Sequence, residues 1–270
     1  MIETAMSDAE YNQYQRLIYD TCGINFTDNK KQLLMTRLRK RMVALNIISY
    51  KKYREYVTHP DHHDEFSQML NVISTNKTDF FRESVHFEFL KNNVYPRLER
   101  KNKIRLWSAA SSSGEEAYTW AITILEHLRD AKDKDIKILA TDISTKVLAE
   151  AEAGVYSEEL VRPIPVAQLK KYFYKGHNQW NGYYMVKEQL KELVSFRRLN
   201  LMEPFPLKAQ FDVILCRNVM IYFDKETRER LVERLARQLT AGGIFIIGNA
   251  ESLSGIKTSL KYLQPAIYQK

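Results

Sequence analysis

From Lys103 onward, short runs dense in Ile, Leu, Val and Phe alternate with longer stretches of helical periodicity. The runs are Ile104–Trp107, Ile136–Ala140, Phe211–Cys216 and Gly243–Gly248, and Glu115–Leu128 and Thr227–Leu239 are two of the helical stretches. Strands this apolar need cover on both faces, so the alternation predicts an α/β fold with a doubly wound, parallel sheet. Its most informative strand, Phe211-Asp-Val-Ile-Leu-Cys216, runs without a break into Arg217, Asn218 and Tyr222. Ligands of open α/β sheets bind beyond the carboxyl ends of the strands, which makes these side chains candidates for chemistry. A strand that merely exits through polar residues is the competing reading.

The first eighty or so residues read differently, as helices without strand-like alternation. Ser7-Asp8-Ala9-Glu10 is a capping-box pattern that opens a helix, and Gly23 is placed to close it. A second helix starts at Thr27 or Asp28 and runs to about Leu45, with Leu33, Leu34, Leu38, Met42 and Leu45 at helical spacing. Shorter helices are expected near Tyr50–Val57 and Asp64–Ile73. Tyr172–Val186 is aromatic and turn-rich, and Gly176 and Asn181-Gly182 are able to supply positive φ, which suits an inserted β-hairpin. The expected organisation is a helical domain over 1–80 and a larger domain over 81–270, with an inserted β-subdomain over 172–198.

The chain has 270 residues, 44% hydrophobic and 27% charged, an ordinary globular composition with room for a sizeable core. Its formal charge of +8 favours an acidic partner: nucleic acid, an anionic membrane surface or an acidic protein face. Lys30, Lys31, Arg37, Arg39, Lys40 and Arg41 make the second helix strongly basic, with Asp28 its only acid. A solvated face and docking on an acidic surface both remain open for it. Cys22 and Cys216 stand far apart with no CxxC pair or histidine cluster, so reduced thiols and no metal site are expected, and His62-His63 read as loop residues. The opening residues lack the basic and apolar regions of a secretion signal, and no apolar run nears the roughly 20 residues that span a bilayer. A cytoplasmic location is expected.

Further segments carry candidate ligand groups. Trp107-Ser-Ala-Ala-Ser-Ser-Ser-Gly114-Glu-Glu116 joins a strand to a helix through small residues that let backbone amides approach a ligand. It lacks the GxGxxG pattern of dinucleotide sites, and its two acids argue against a phosphate-rich ligand; Glu116 suits an ammonium group, unless both acids only stabilise the helix N-terminus. Asp142, at the tip of the second strand, is placed either to accept from ribose hydroxyls or to cap the next helix. Asn200 offers a donor and an acceptor to a base edge, with Leu201 to pack on its face. Ser74-Thr-Asn76-Lys-Thr78-Asp-Phe-Phe-Arg82-Glu, at the junction of the two parts, holds more hydrogen-bonding groups than a linker needs; turn, cap and core roles compete there.

In order and approximate spacing, Asn76-Lys-Thr-Asp-Phe-Phe-Arg82-Glu, Trp107-Ser-Ala-Ala with Gly114-Glu-Glu116, Ala140-Thr-Asp142-Ile, Asn200-Leu201 and Cys216-Arg-Asn-Val-Met-Ile-Tyr-Phe223 resemble the chemotaxis receptor methyltransferases. These enzymes esterify glutamate side chains on chemoreceptor cytoplasmic helices using S-adenosylmethionine, releasing S-adenosylhomocysteine. The resemblance covers nearly the whole chain. It implies a helical N-terminal domain and a doubly wound, Rossmann-like class I methyltransferase sheet with a small inserted antiparallel β-subdomain. It also implies that Asn76, Thr78, Arg82, Glu116, Asp142, Asn200, Leu201, Arg217 and Asn218 contact the cofactor, with Tyr222 near the transferred methyl. Ser113 and Ala117 depart from the family's more common threonine and proline, and no function attaches to Gly248-Asn-Ala-Glu251.

On that basis Arg82 and Tyr222 are expected to position the acceptor carboxylate. Arg37, Arg39, Lys40 and Arg41 are expected to dock on receptor helices, and the resemblance implies that the β-subdomain offers an edge to a receptor tail peptide by strand addition, in the manner of some family members. Recruitment to membrane receptor arrays follows from such partners. Two alternatives are a receptor-associated binding module without turnover and a nucleic-acid methyltransferase using the basic helix on phosphates. Intact Arg82, Asn218 and Tyr222 speak against the first, and Cys216-Arg-Asn-Val in place of an Asn-Pro-Pro-Tyr motif speaks against the second.

Overall fold

The computed structural model describes residues 5–270. Met1–Thr4, part of the segment read for an export signal, and the side chains of Asp28 and His63 lie outside the described residues. The helical part comprises α1 (Asp8–Cys22), α2 (Lys31–Ala44, after a 3-10 turn at Asp28–Lys30), α3 (Tyr50–Val57) and α4 (His63–Ile73). The capping box at Ser7 is formed, and Gly23 closes α1 in the left-handed region at φ 73°. Tyr14, Ile18, Leu34, Leu38, Met42 and Tyr53 interlock in a core of their own. Leu33 stands outside it, 43% exposed and turned to a cleft, because Leu34 and Leu38 fill the buried stripe of α2. His62 ends a 3-10 turn and His63 opens α4, so this pair belongs to ordered turns where a loop was expected.

The larger part starts with α5 (Val85–Phe89), which passes through a π-helical turn into α6 (Tyr95–Leu98). Then follow β1 (Lys103–Ala109), α7 (Glu115–His127), β2 (Asp135–Asp142), α8 (Thr145–Ala153), β3 (Val155–Ser157), α9 (Glu158–Val161), α10 (Val166–Tyr172), β4 (Phe173–Lys175) and β5 (Tyr183–Val186). The chain ends through α11 (Glu188–Lys191), β6 (Val194–Arg198), β7 (Phe211–Cys216), α12 (Lys225–Gln238), β8 (Leu239–Ile247), β9 (Lys261–Gln264) and β10 (Ile267–Gln269).

Seven strands form one sheet in the order β6-β2-β1-β7-β8-β10-β9. It is parallel from β6 to β8, and β10 runs antiparallel to both its neighbours. Alternation along β1 assigns side chains to two layers: Ile104 and Leu106 pack with Trp120, Ile138 and Val213, while Trp107 and Ala109 pack with Ile214, Leu231 and Phe245. Both layers are buried, which is why these strands read as continuous apolar runs. The fold is the doubly wound α/β class that the alternation predicts.

The inserted antiparallel unit is a three-stranded sheet, β3-β5-β4, and its limits differ from 172–198. It takes in β3 from Val155, whose three residues are too few to show alternation in sequence. It excludes Val194–Arg198, which pairs in parallel with β2 as the edge of the large sheet.

After β1 the chain moves to β2 on one side, and later returns to lay β7 on the other. Such a reversal opens a crevice above the carboxyl ends of the strands beside it. The helical part covers that crevice: the Asn200 amide donates to the Thr21 carbonyl (2.6 Å), Asn25 N–H to the Tyr222 carbonyl (2.8 Å) and the Tyr19 hydroxyl to Asp224 (2.6 Å).

Candidate active site

The cleft over β1, β2 and β7 brings together Asn76, Thr78, Arg82, Glu116, Asp142, Asn200, Leu201, Arg217, Asn218 and Tyr222. Arg37 joins them from α2, whereas Arg39 and Lys40 point to solvent. Arg41 turns inward, its guanidinium forked onto Glu65 at 3.0 and 2.6 Å. The four basic residues expected to act together thus face three ways.

The loop after β1 takes positive φ at Ala110 (72°), Ser112 (50°) and Gly114 (95°), a path that small residues permit and that brings its backbone close beneath the cleft. At its end the two acids separate. Glu115 is 2% exposed, accepts from the Ser113 hydroxyl and is pushed up to about 7 by burial. Glu116 faces the cleft, accepting from Ser108 at 2.7 Å and from Arg217 at 3.1 Å.

Asp142 is buried at the tip of β2, one oxygen accepting from Ser112 N–H and the other from Ser144 N–H, each at 2.9 Å. Burial raises its carboxyl above the usual range, opposed by those N–H groups. Two N–H donors leave a carboxylate with free lone pairs, so acceptor capacity toward the cleft remains. Helix capping is performed by Ser144, whose hydroxyl accepts from Val147 N–H, and not by Asp142.

Two side chains are more occupied than expected. Asn200 spends both amide hydrogens on the Thr21 carbonyl and Glu203, and its oxygen accepts from Met202 N–H. Only residual acceptor capacity is left for a base edge, and Leu199, Leu201 and Ile143 supply apolar wall. Arg217, its side chain 2% exposed, donates to Glu83, Glu116 and the Arg82 carbonyl, so it stands behind the acids of the cleft.

Glu83 and Glu251 were not singled out in the sequence. The Glu83 carboxylate accepts from Arg217 (3.0 and 3.3 Å), the Asn218 amide (3.2 Å) and Asn249 N–H (3.2 Å). Burial pushes this carboxyl up, but Arg217 and the neighbouring amides outweigh it and hold it below the usual range. Glu251 accepts from the backbone of Gly248, Asn218 and Ile221. The sequence signal for Glu83 is its place after Arg82, since Arg217, Asn218 and Asn249 lie more than a hundred residues away. Glu251 sits in the Gly248–Glu251 turn, to which no function was attached.

Glu116 and Asp142 face the cleft as largely buried acids, with Glu83 behind Arg217, while Arg37, Lys77, Asp79, Arg82 and the half-buried Tyr222 also line it. Such a site suits a cation against its buried acids and an anion against its arginines. The buried acids, apolar wall and small-residue loop fit a sulfonium nucleoside that carries an ammonium and a ribose.

Residues 76–268 match the CheR methyltransferase SAM-binding domain, and residues 9–74 match the CheR methyltransferase all-alpha domain. A probable chemotaxis protein methyltransferase of Rhizobium etli is 40% identical over 88% of this chain and 91% of its own length. The chemotaxis protein methyltransferase of Borreliella burgdorferi is 38% identical over 97% of this chain and 94% of its own, and that of Escherichia coli is 33% identical over 98% and 91%.

Proposed function

Since the chain belongs to the CheR family of S-adenosylmethionine-dependent chemotaxis methyltransferases, we propose that it esterifies glutamate side chains on the cytoplasmic helices of chemoreceptors. The observation that carries this reading is one cleft that brings the largely buried acids Glu116 and Asp142 together with Arg37, Arg82 and Tyr222. A glutamate, with a pKa near 4.3, is ionised at neutral pH and needs no general base. The bound sulfonium cofactor supplies an electrophilic methyl group. The protein's task is alignment and partial removal of water. Arg82, whose guanidinium donates to the Lys77 carbonyl, and Tyr222 orient the acceptor carboxylate. Glu116 takes the ammonium end of the cofactor, Asp142 the ribose, and Leu201 the base.

Receptor helices rich in glutamate would meet the rim through Arg37 and the exposed Arg39 and Lys40. The inserted sheet leaves β3 and β4 as open edges, which supports addition of a receptor-tail strand; a pull-down with tail peptides tests it. Recruitment to receptor arrays belongs to the same reading. Among the described residues no helix is long and apolar enough to cross a membrane.

The deciding experiment incubates the protein with methyl-labelled S-adenosylmethionine and a receptor cytoplasmic fragment, followed by mild alkali. Release of volatile labelled methanol is expected from a methyl ester. Label that survives alkali, or that appears on nucleic acid, overturns the assignment.

A further inference from the structure

We infer that Glu251 is a positioning residue: its carboxylate caps the short turn that carries Tyr222 and ties that turn to the end of β8, which holds the tyrosine at the cleft where an acceptor carboxylate arrives. The catalytic part of this inference rests on the role proposed above for Tyr222.

After β7 ends at Cys216, the chain passes through Arg217 and Asn218 into a single 3-10 turn, Met220–Tyr222. The first N–H groups of a helical turn have no partner within it. A Ser, Thr, Asp or Asn just ahead of the turn would ordinarily accept from them, but Val219 stands there and makes no side-chain cap. Glu251 supplies the missing acceptor from further along the chain. One of its oxygens accepts from Ile221 N–H at 3.2 Å, and the other from Asn218 N–H at 3.0 Å and Gly248 N–H at 2.6 Å. A single carboxylate therefore joins the exits of two neighbouring parallel strands, β7 and β8.

The rest of the turn is held by other means. Met220 is buried, the Tyr222 N–H donates to the Val219 carbonyl at 3.2 Å, and the Tyr222 carbonyl accepts from Asn25 N–H at 2.8 Å. Ile221 is 52% exposed, so packing holds it weakly and its bond to Glu251 matters the more. Asn218 turns the chain at φ 58°, in the left-handed region that asparagine tolerates better than most residues, and its N–H meets the same carboxylate.

Glutamine at 251 would separate these holds. It has the shape of glutamate but one oxygen only, so its N–H₂ must face either Ile221 N–H or the pair Asn218 and Gly248. Turning the oxygen to the pair leaves one N–H without an acceptor in place of two, which is the less costly choice. Glu251→Gln therefore frees the turn of Tyr222 and spares Asn218, which lines the cleft.

The test compares wild type, Glu251→Gln, Tyr222→Phe and the double variant in single-turnover transfer to a receptor cytoplasmic fragment at saturating S-adenosylmethionine. Cofactor Kd, melting temperature and amide hydrogen exchange of each apo protein are recorded beside it. Glu251→Gln is expected to exchange faster over residues 218–222 and to transfer about three- to tenfold more slowly, the worth of one hydrogen bond, with a cofactor Kd within about twofold of wild type. The double variant is expected to be no slower than Tyr222→Phe, because a residue that acts through another adds nothing once the other is altered. Effects that multiply mark a general structural loss and overturn the inference. Unchanged exchange over 218–222 overturns it too, and that measurement needs no acceptor, so it is independent of what the enzyme methylates. A wild-type rate in Glu251→Gln beside a slowed Tyr222→Phe refutes the role of Glu251 alone, whereas wild-type rates in both refute the role of Tyr222 as well.

Discussion

Single atoms decide much of this site. Asp142 accepts one backbone N–H on each oxygen, so Asp142→Asn sets an amide N–H₂ against Ser112 or Ser144 N–H and removes the charge. Hydrogen bonds to charged groups contribute about 1.5–3 kcal/mol, so the S-adenosylmethionine Kd should rise about 10- to 100-fold, and calorimetry showing an unchanged Kd would refute the ribose assignment. Gly248 is equally constrained. A Cβ there would lie 2.5 Å from the Asn218 amide nitrogen and 2.9 Å from its backbone nitrogen, so Gly248→Ala must displace the residue that links Glu83 to Glu251. Overpacking of this kind costs about 1–3 kcal/mol, and the expected result is a lower melting temperature together with weaker cofactor binding. Residues of this sort split by legibility. Asp142 shows in the sequence because a strand tip and a carboxylate coincide, while Glu83, Glu251 and Gly248 matter only through partners that folding brings near.

At the level of elements, α2 shows why a run of like charges is a poor guide to a surface. Its helical period turns Arg37 to the cleft, where the guanidinium donates to the Ile73 carbonyl and Thr75, and turns Arg41 onto Glu65 beside Tyr53. Only Arg39 and Lys40 face open solvent. Reversing these two to glutamate should raise the apparent KM for a receptor fragment while leaving cofactor affinity and melting temperature near wild type, and added salt should narrow the difference. An unchanged KM removes α2 from the docking surface. Arg41→Ala is expected to behave in the opposite way, because Glu65 is nearly buried and would keep Tyr53 as its remaining side-chain donor. A loss of about 1–3 kcal/mol in denaturant unfolding, with little change in KM, is its signature. Pattern predicts α1, α3, α12 and the strands β1, β2, β7 and β8 closely because each carries its signal over several turns or a run of apolar residues, whereas the sequence reading does not foresee β9 and β10 and puts β6 in the inserted unit. The β4–β5 pair is the hairpin expected over Tyr172–Val186, whereas β3 has three residues and offers no such repeat, so its pairing follows from tertiary packing.

Across the whole molecule, the helical part is fastened to the sheet by Tyr19–Asp224, Asn200–Thr21 and Asn25–Tyr222, so folding also completes the cleft. Beneath that cleft lie two groups that couple stability to pH with opposite signs. Glu115 rises from 4.5 to about 7 on folding because burial disfavours its charged form. Its contribution is therefore fully present below pH 4.5 and is lost as pH climbs through 7. His86 falls from 6.5 to about 4, chiefly through burial, so its contribution is present above pH 6.5 and is lost as pH drops through 4. Between roughly pH 4.5 and 6.5 the folded state holds a proton on Glu115 that the unfolded state lacks, and lacks one on His86 that the unfolded state holds. The two slopes cancel there. Glu115→Gln breaks the cancellation, since an amide imitates the protonated acid at every pH. The variant should match wild type below pH 4.5 and exceed it by about 3 kcal/mol above pH 7.5, a pKa shift of one unit being about 1.36 kcal/mol. Urea unfolding at pH 4.5, 6 and 8 checks this, and a stability difference that does not grow with pH would mean that Glu115 is ionised in the folded protein.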